Sequence, residues 1–159
     1  MLRPDPSVAS RALALVFAAH NVEEYAHFRE DRAHLRRRLP PGGILEQWYE
    51  PDTIAAALLL LTGLAGGLLS LPSKDPDPVT DGVAVIGSTA LAFNALTHLA
   101  RAAAERRYNG GLITAPLMFA TAVALRRGVD RRTSLAPRTR RILTAAGVVA
   151  VPALIVGAL

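Results

Sequence analysis

The chain has 159 residues, 51% of them hydrophobic, and its 18 basic and 13 acidic side chains give a formal net charge of +5. This length suits a single domain and leaves no room for a second soluble module, so we expect one unit over residues 1–159. There is no cysteine, which excludes disulfides, thiolate metal ligands and a cysteine nucleophile.

The first apolar block is short and runs directly into polar residues. Its unbroken apolar stretch covers only residues 12–19, which resembles the apolar part of a signal peptide. Cleavage after Ala19 would, however, place Phe17 where processing needs a small residue. We therefore predict a helix that begins before this block and continues beyond it.

Four further blocks predict membrane-spanning helices. Residues 54–71 and 142–159 each form 18 uncharged positions, about 27 Å of helix and nearly the thickness of a hydrocarbon core. Residues 83–100 have the same length, whereas 112–125 has only 14 and needs flanking residues or a thinned bilayer. The sequence thus predicts an all-α integral membrane bundle of about five helices, over residues 8–34, 52–71, 81–105, 112–126 and 141–159.

The connections favour a multi-pass protein of the plasma membrane. Trp48 and Tyr49 precede the second helix and suit a membrane interface. The arginines lie at the ends of the apolar blocks rather than on one soluble face, which favours anionic lipid headgroups over nucleic acid as partners. Ten basic residues lie on the side of the N-terminus and eight on the other, so the positive-inside rule does not orient the chain.

Two predicted helices carry a polar stripe. The stripe on the third helix contains Asn94, His98, Arg101 and Glu105, at offsets 0, 4, 7 and 11. The stripe on the first helix contains His20, Glu23, Glu24, His27, Asp31 and His34, at offsets 0, 3, 4, 7, 11 and 14. Because lipid offers polar groups no partner, we expect both stripes to turn inward and meet at similar depth. This places a His/Glu site between helices one and three.

The outer part of the first stripe has a different expectation. By His27, Asp31 and His34 the helix has left the hydrocarbon, and arginines surround these positions. They are typical of a solvated helix face. Of the three, only His27 is retained as a possible additional metal ligand.

Three short motifs resemble those of the HXXEE domain family, small integral membrane proteins of undefined biochemical function. "HNVEE" at 20–24 matches the family signature, "NALTH" at 94–98 is similar to its N-x-x-x-H element, and "YNGGLITA" at 108–115 is similar to its Y-x-P-G element followed by threonine. Gly110 stands where the third pattern has proline, which predicts a looser turn. The resemblance implies functional roles for His20, Glu23, Glu24, Asn94, His98, Tyr108, Gly111 and Thr114.

The segment from Tyr108 to Thr114 is expected to fold back over the site as a lid or wall. Its glycines permit a tight turn. The hydroxyls of Tyr108 and Thr114 are the other neutral donors expected at that depth. We therefore count Asn94, Tyr108, Gly111 and Thr114 as supporting residues of the site.

The site chemistry first suggests a metal ion. Imidazole and carboxylate ligands without sulfur suit Zn, Fe or Mn, and a histidine followed by a glutamate four residues later can bind one ion. We predict His20, Glu24 and His98 as ligands, with Glu23 as general base or an outer ligand. Residues 24–27 also read E-x-x-H, as in di-iron bundles, but no second such motif occurs at a suitable depth. The expected substrate is an apolar molecule from the bilayer.

Two other classes of function remain open. In a metal-free enzyme, Glu23 or Glu24 would be a general acid and His98 a base, isomerising or cyclising a polyprenoid-like substrate. A non-enzymatic protein would use the cluster to bind or transport a proton or metal ion, or as a structural His/Glu network. The sequence leans toward an enzyme and does not identify its substrate.

Overall fold

The computed structural model describes residues 5–37, 50–72 and 75–157. Within these ranges the chain forms five α-helices and no strand, which confirms the all-α prediction. The helices are α1 (Pro6–Arg36), α2 (Pro51–Ser70), α3 (Pro78–Glu105), α4 (Ala115–Asp130) and α5 (Pro137–Gly157). Trp48 and Tyr49, which we predicted at a membrane interface, lie outside the described residues.

Proline marks the start of each described helix. It is the first residue of four of them and the second residue of α4, at Pro116. Proline suits the first turn because its φ angle is already helical and because that turn needs no N–H donor from it. The helix starts expected from the sequence differ most from the observed ones where the N-terminal proline was not used to place them. Helix α4 starts at Ala115 rather than 112, and α5 starts at Pro137 rather than 141.

Successive helices run in opposite directions. Near the start of α1 the Ser10 hydroxyl donates to the Leu69 carbonyl at the end of α2, at 2.6 Å. Likewise Arg132, just after α4, donates from Nη2 to Asp81 Oδ1 in the first turn of α3, at 2.7 Å. We call the end of the bundle that holds Pro6, Ser70 and Pro137 the basal end, and the opposite end the upper end.

Helix α4 joins the two helices that carry the polar stripes. Helix α1 packs mainly on α2 and α4, while α3 packs mainly on α4 and α5, and direct contact between α1 and α3 is slight. Leu13 of α1, Val85 of α3 and Met118 of α4 are completely buried and form the centre of the core. The two stripes are therefore held in register by α4 rather than by packing against each other.

Length and composition qualify two of the described helices, α2 and α3, as candidate membrane spans. Helix α4 has 16 residues, fewer than the roughly 20 that a span needs, and α1 and α5 carry several charges. The prediction of five spans is therefore not confirmed. Only 6% of the most apolar window of α2 is buried, so α2 is unlike the core helix of a soluble bundle.

The contact between α3 and α5 generates a test of the packing. A Cβ atom at Gly147 would lie 2.7 Å from the Ile86 carbonyl oxygen and 2.7 Å from Thr89 Cβ. We expect Gly147→Ala to lower the free energy of unfolding by about 1–3 kcal/mol through overpacking. Thermal unfolding in mild detergent measures the effect.

Gly63→Ala is the matched control because a Cβ at Gly63 would meet nothing within 4 Å. There the higher helix propensity of alanine should leave stability unchanged or raise it by up to about 1 kcal/mol. Equal destabilisation by both substitutions would show that α5 does not pack on α3 as described.

Candidate functional site

The structure brings His20, Glu24 and His98 together. One ligand atom from each lies within 4.8 Å of the other two. Glu24 Oε1 is 3.2 Å from His98 Nε2, and Glu24 Oε2 is 3.9 Å from His20 Nε2. The side chain of His20 is fully buried, that of His98 is 11% exposed and that of Glu24 is 30% exposed. Glu24 is therefore the member of the group that faces outward.

The hydrogen bonds of Thr114 define which nitrogen of His20 carries the proton. The Thr114 hydroxyl donates its one hydrogen to Glu23 Oε2, at 2.7 Å. It lies 2.8 Å from His20 Nδ1 and can only accept there, so Nδ1 is the protonated nitrogen. The lone pair of neutral His20 is then on Nε2. The Asn94 amide nitrogen, 3.3 Å from Nε2, is placed to donate to it, and a cation bound at Nε2 would displace this hydrogen bond.

Asn109 defines the protonation of His98 in the same way. Its amide nitrogen donates to the backbone carbonyl of His98 at 3.1 Å, which leaves its amide oxygen 3.0 Å from His98 Nδ1. Flipping the amide would bring two oxygens together, so the assignment follows from the network. His98 Nδ1 therefore donates to Asn109, and Nε2 points at Glu24.

These protonation states create an electron-rich centre. Two imidazole Nε2 atoms and the Glu24 carboxylate face one another, and in the neutral tautomers neither nitrogen carries a hydrogen. A lone pair facing a carboxylate oxygen at 3.2 Å is repulsive unless a cation lies between or beside them. That cation can be a metal ion or a proton that converts His98 to imidazolium.

Glu23, one residue away, faces the loop instead of this centre. Its Oε1 accepts from the Tyr108 hydroxyl and from the Ile113 N–H at 2.8 Å. Its Oε2 accepts from the N–H and the hydroxyl of Thr114, at 2.9 and 2.7 Å. Four donors occupy the acceptor sites of a carboxylate. In this arrangement Glu23 has no lone pair left for a metal ion or for taking a proton, and its place is that of a positioning residue.

The segment from Tyr108 to Thr114 folds back against α1. Gly111 has a φ of +88°, and a Cβ there would lie 2.3 Å from His20 Cε1, so backbone conformation and space both require glycine. A Cβ at Gly110 would lie 3.0 Å from Glu24 Cα. The backbone of this loop is thus a wall of the site.

Gly110 also corrects the expectation of a loose turn. Its N–H donates to Asp31 Oδ2 at 2.9 Å. A proline at this position would have no N–H and could not make this hydrogen bond. The turn is therefore fastened to α1 by a bond that glycine permits.

The outer part of the stripe is paired rather than solvated as expected. Asp31 forms ion pairs with Arg107 and with Arg101, and His34 Nε2 lies 3.4 Å from Glu105. The His27 ring lies against Tyr108, with 4.7 Å between centroids. His27 Nδ1 is 3.1 Å from the Glu23 carbonyl, and in the described part of the chain His27 is not a member of the ligand group.

Two residues that matter here were not predicted as site residues from the sequence. Asn109 is 1% exposed and orients His98, and Asp31 anchors Gly110. Both had a sequence signal. Asn109 lies inside the "YNGG" motif, and Asp31 lies on the same helix face as His20 and Glu24.

Comparison with known proteins identifies a family. A family model described as a protein of unknown function with HXXEE motif matches residues 12–125, which is more than half of the chain. The match contains every side chain of the site described above. No curated protein and no solved structure matches the chain.

The role of Glu23 predicts a specific effect of Glu23→Gln. The new amide nitrogen must face one of the four donors, so the loop loses at least one hydrogen bond, at a cost of about 1–3 kcal/mol. Hydrogen exchange at the Ile113 and Thr114 amides should accelerate, as local opening becomes easier. Glu30→Gln, at an exposed position of the same helix, should change stability by less than about 0.5 kcal/mol. Unchanged exchange in Glu23→Gln would show that the carboxylate does not hold the loop.

Tyr108 gives a second measurable signal. Partial burial, the hydrogen bond to Glu23 and the charge of that carboxylate raise the pKa of Tyr108 to about 12, from the usual value of about 10. The folded state favours the neutral phenol, so its contribution to stability is complete below pH 10 and is lost as pH rises toward 12. A spectrophotometric titration should show one late tyrosine, which Tyr108→Phe removes. A single tyrosinate transition near pH 10 would contradict the described contact.

Proposed function

Since the chain belongs to the HXXEE family, whose function is unknown, we propose that it is a membrane-embedded enzyme with a divalent metal ion held by His20, Glu24 and His98. Zn, Fe and Mn are the candidate metals, and the substrate is an apolar molecule that enters from the bilayer. The observation that carries the proposal is the convergence of two imidazole lone pairs and one carboxylate within 4.8 Å.

The ligand set fits such an ion. Two histidines and one carboxylate leave coordination positions open for water or substrate, as catalytic sites require. Both Nδ1 atoms are engaged, one by Thr114 and the other by Asn109, which is the arrangement that orients ligating histidines. A metal ion bound there would act as a Lewis acid and lower the pKa of a bound water. Glu24, as the most exposed of the three, marks the side from which a substrate approaches.

The surface of the bundle supports a location inside the bilayer. Every described helix exposes at least one large apolar side chain, and the exposed fractions reach 73% at Leu15, 74% at Leu60 and 60% at Val149. Single exposed apolar side chains are normal in soluble proteins, but Leu60, Leu64 and Leu68 lie exposed on one face of α2, and contiguous apolar surface of this kind marks an interface or a membrane. With lipid around the helices, all five can lie in the membrane, α4 together with the loop before it, and α1 and α3 keep their charged residues on the inside or beyond the hydrocarbon.

The metal-free alternative rests on the distance between Glu24 and His98. At 3.2 Å the two side chains can form an imidazolium–carboxylate pair in which His98 holds the proton on Nε2. In that state His98 would be the general acid and Glu24 the base, the reverse of the roles expected from the sequence. An isomerisation or cyclisation of a polyprenoid-like substrate needs only such a pair.

Metal content tests the proposal. The chain is purified in mild detergent with a tag that contains no histidine, and its metal is measured by elemental analysis. We expect about one ion per chain, and a loss of affinity of at least about 10-fold in His20→Ala and in His98→Ala. His34→Ala is the matched control and should retain the metal, since His34 pairs with Glu105 outside the site.

Two outcomes would contradict the hypothesis that the site binds a metal ion. If the wild-type chain binds none of the three metals when they are supplied in excess, the acid–base alternative replaces it. If the alanine variants fail to fold and apolar residues of similar size restore stability, the cluster is a structural network.

A further inference from the structure

Four exposed arginines lie close together at the basal end of the bundle. They are Arg127, Arg131, Arg138 and Arg141, and we call them the arginine patch. They belong to the last turn of α4, the short connection after it and the first turns of α5. In the part of the chain that the structure describes, none of the four makes an ion pair or a side-chain hydrogen bond. Their charge is therefore free to attract an external anion.

The acidic residues nearest the patch are already engaged with other arginines. Asp130 pairs with Arg126 at 2.9 Å and with Arg140 at 3.4 Å. Asp81, which is fully buried, pairs with Arg132 at 2.7 Å. These contacts pair the inner arginines of the segment and leave the outer four without an ion pair. Of the other acids at the basal end, Asp5 and Asp77 accept hydrogen bonds at the starts of α1 and α3.

The upper end has a different charge distribution. There the inner basic residues Arg101 and Arg107 pair with Asp31 and Glu105. Among the described residues at that end, the exposed arginines are Arg29 and Arg37 at the end of α1 and Arg106 after α3, and the exposed acids Glu30 and Asp52 lie at the same end. A count of basic residues, ten against eight, does not reveal this asymmetry because it ignores which charges are compensated.

We propose that the arginine patch binds anionic phospholipid headgroups of the cytoplasmic leaflet, so that the basal end faces the cytoplasm and the His/Glu site opens toward the opposite face. This inference rests on the proposed location in a membrane. Phosphate oxygens accept paired hydrogen bonds from guanidinium groups, and the cytoplasmic leaflet is the more anionic one.

The position of the patch favours lipid over a soluble polyanion such as RNA. Arg141 is followed directly by Ile142, which is 60% exposed, and further along α5 Val149 is also 60% exposed. An arginine that precedes an exposed apolar helix lies at headgroup level once that helix enters the bilayer. A flat basic surface for nucleic acid would have no such apolar continuation.

Cysteine accessibility tests the orientation directly, because the chain has no cysteine of its own. Ser134→Cys places a thiol in the exposed connection between α4 and α5, and Ala33→Cys places one on an exposed position near the upper end of α1. Spheroplasts that express either variant are treated with a membrane-impermeant maleimide before and after lysis. We expect Ala33→Cys to react before lysis and Ser134→Cys to react only afterwards. The reverse pattern would overturn the orientation and leave the membrane location intact.

The role of the patch in orientation is tested by a fourfold variant with glutamine at Arg127, Arg131, Arg138 and Arg141. We expect it to insert in both orientations, so that each cysteine is labelled in part before lysis. Glutamine at Arg29, Arg37 and Arg106 is the matched control and should leave the labelling one-sided. If the fourfold variant remains one-sided, the patch does not determine orientation.

Reconstitution identifies the ligand. In vesicles that contain phosphatidylglycerol, most chains should expose the basal end on one side, and in vesicles of phosphatidylcholine alone this bias should disappear. An equal bias in both vesicles, or RNA binding that the fourfold variant alone loses, would overturn the lipid assignment. A chain that alkaline carbonate releases from membranes would overturn the membrane location itself, which separates that failure from a wrong orientation.

Discussion

The site depends on one carboxylate that holds the loop leading into α4. The last N–H groups of this loop lie inside the bundle, where they would be unsatisfied without a partner. Glu23 accepts hydrogen bonds from Ile113 and Thr114 there. The same bonds hold the loop against α1, bring Gly111 onto the His20 ring and direct the Thr114 hydroxyl so that it can only accept from His20. The position of α4 and the protonation of a candidate ligand thus have a common cause.

The sequence predicted the parts of the structure that depend on periodicity. The apolar blocks predicted helices, and the spacing of His20, Glu24 and His98 predicted one polar face on each of two helices. Those inferences need only the helical repeat and the cost of placing polar groups in an apolar environment. The same reasoning predicted that His20, Glu24 and His98 converge, because both polar stripes had to turn inward.

The remaining features depend on contacts that spacing cannot reveal. Glu23 and Glu24 are equivalent by sequence pattern, but they differ by about 100° around the helix, so Glu23 meets the loop before α4 and Glu24 meets His98. Asp31 was assigned to a solvated face because its arginine partners lie more than 60 positions away in the chain. The short fourth block was expected to need flanking residues or a thinned bilayer. Instead, the loop before α4 descends into the bundle, and the polar groups of its backbone are satisfied by carboxylates of α1.

The separation of Glu23 from its donors has a consequence for biogenesis. The bonds to Thr114 connect residues 91 positions apart, so during synthesis from the N-terminus the carboxylate emerges well before any group that can neutralise it. All four donors lie between Tyr108 and Thr114. A nascent chain with only α1, α2 and α3 already contains the three candidate ligands but lacks the wall that covers them. Assembly of the site therefore ends with the docking of the fourth helix, and before that step the side chains of His20, Glu24 and His98 are uncovered.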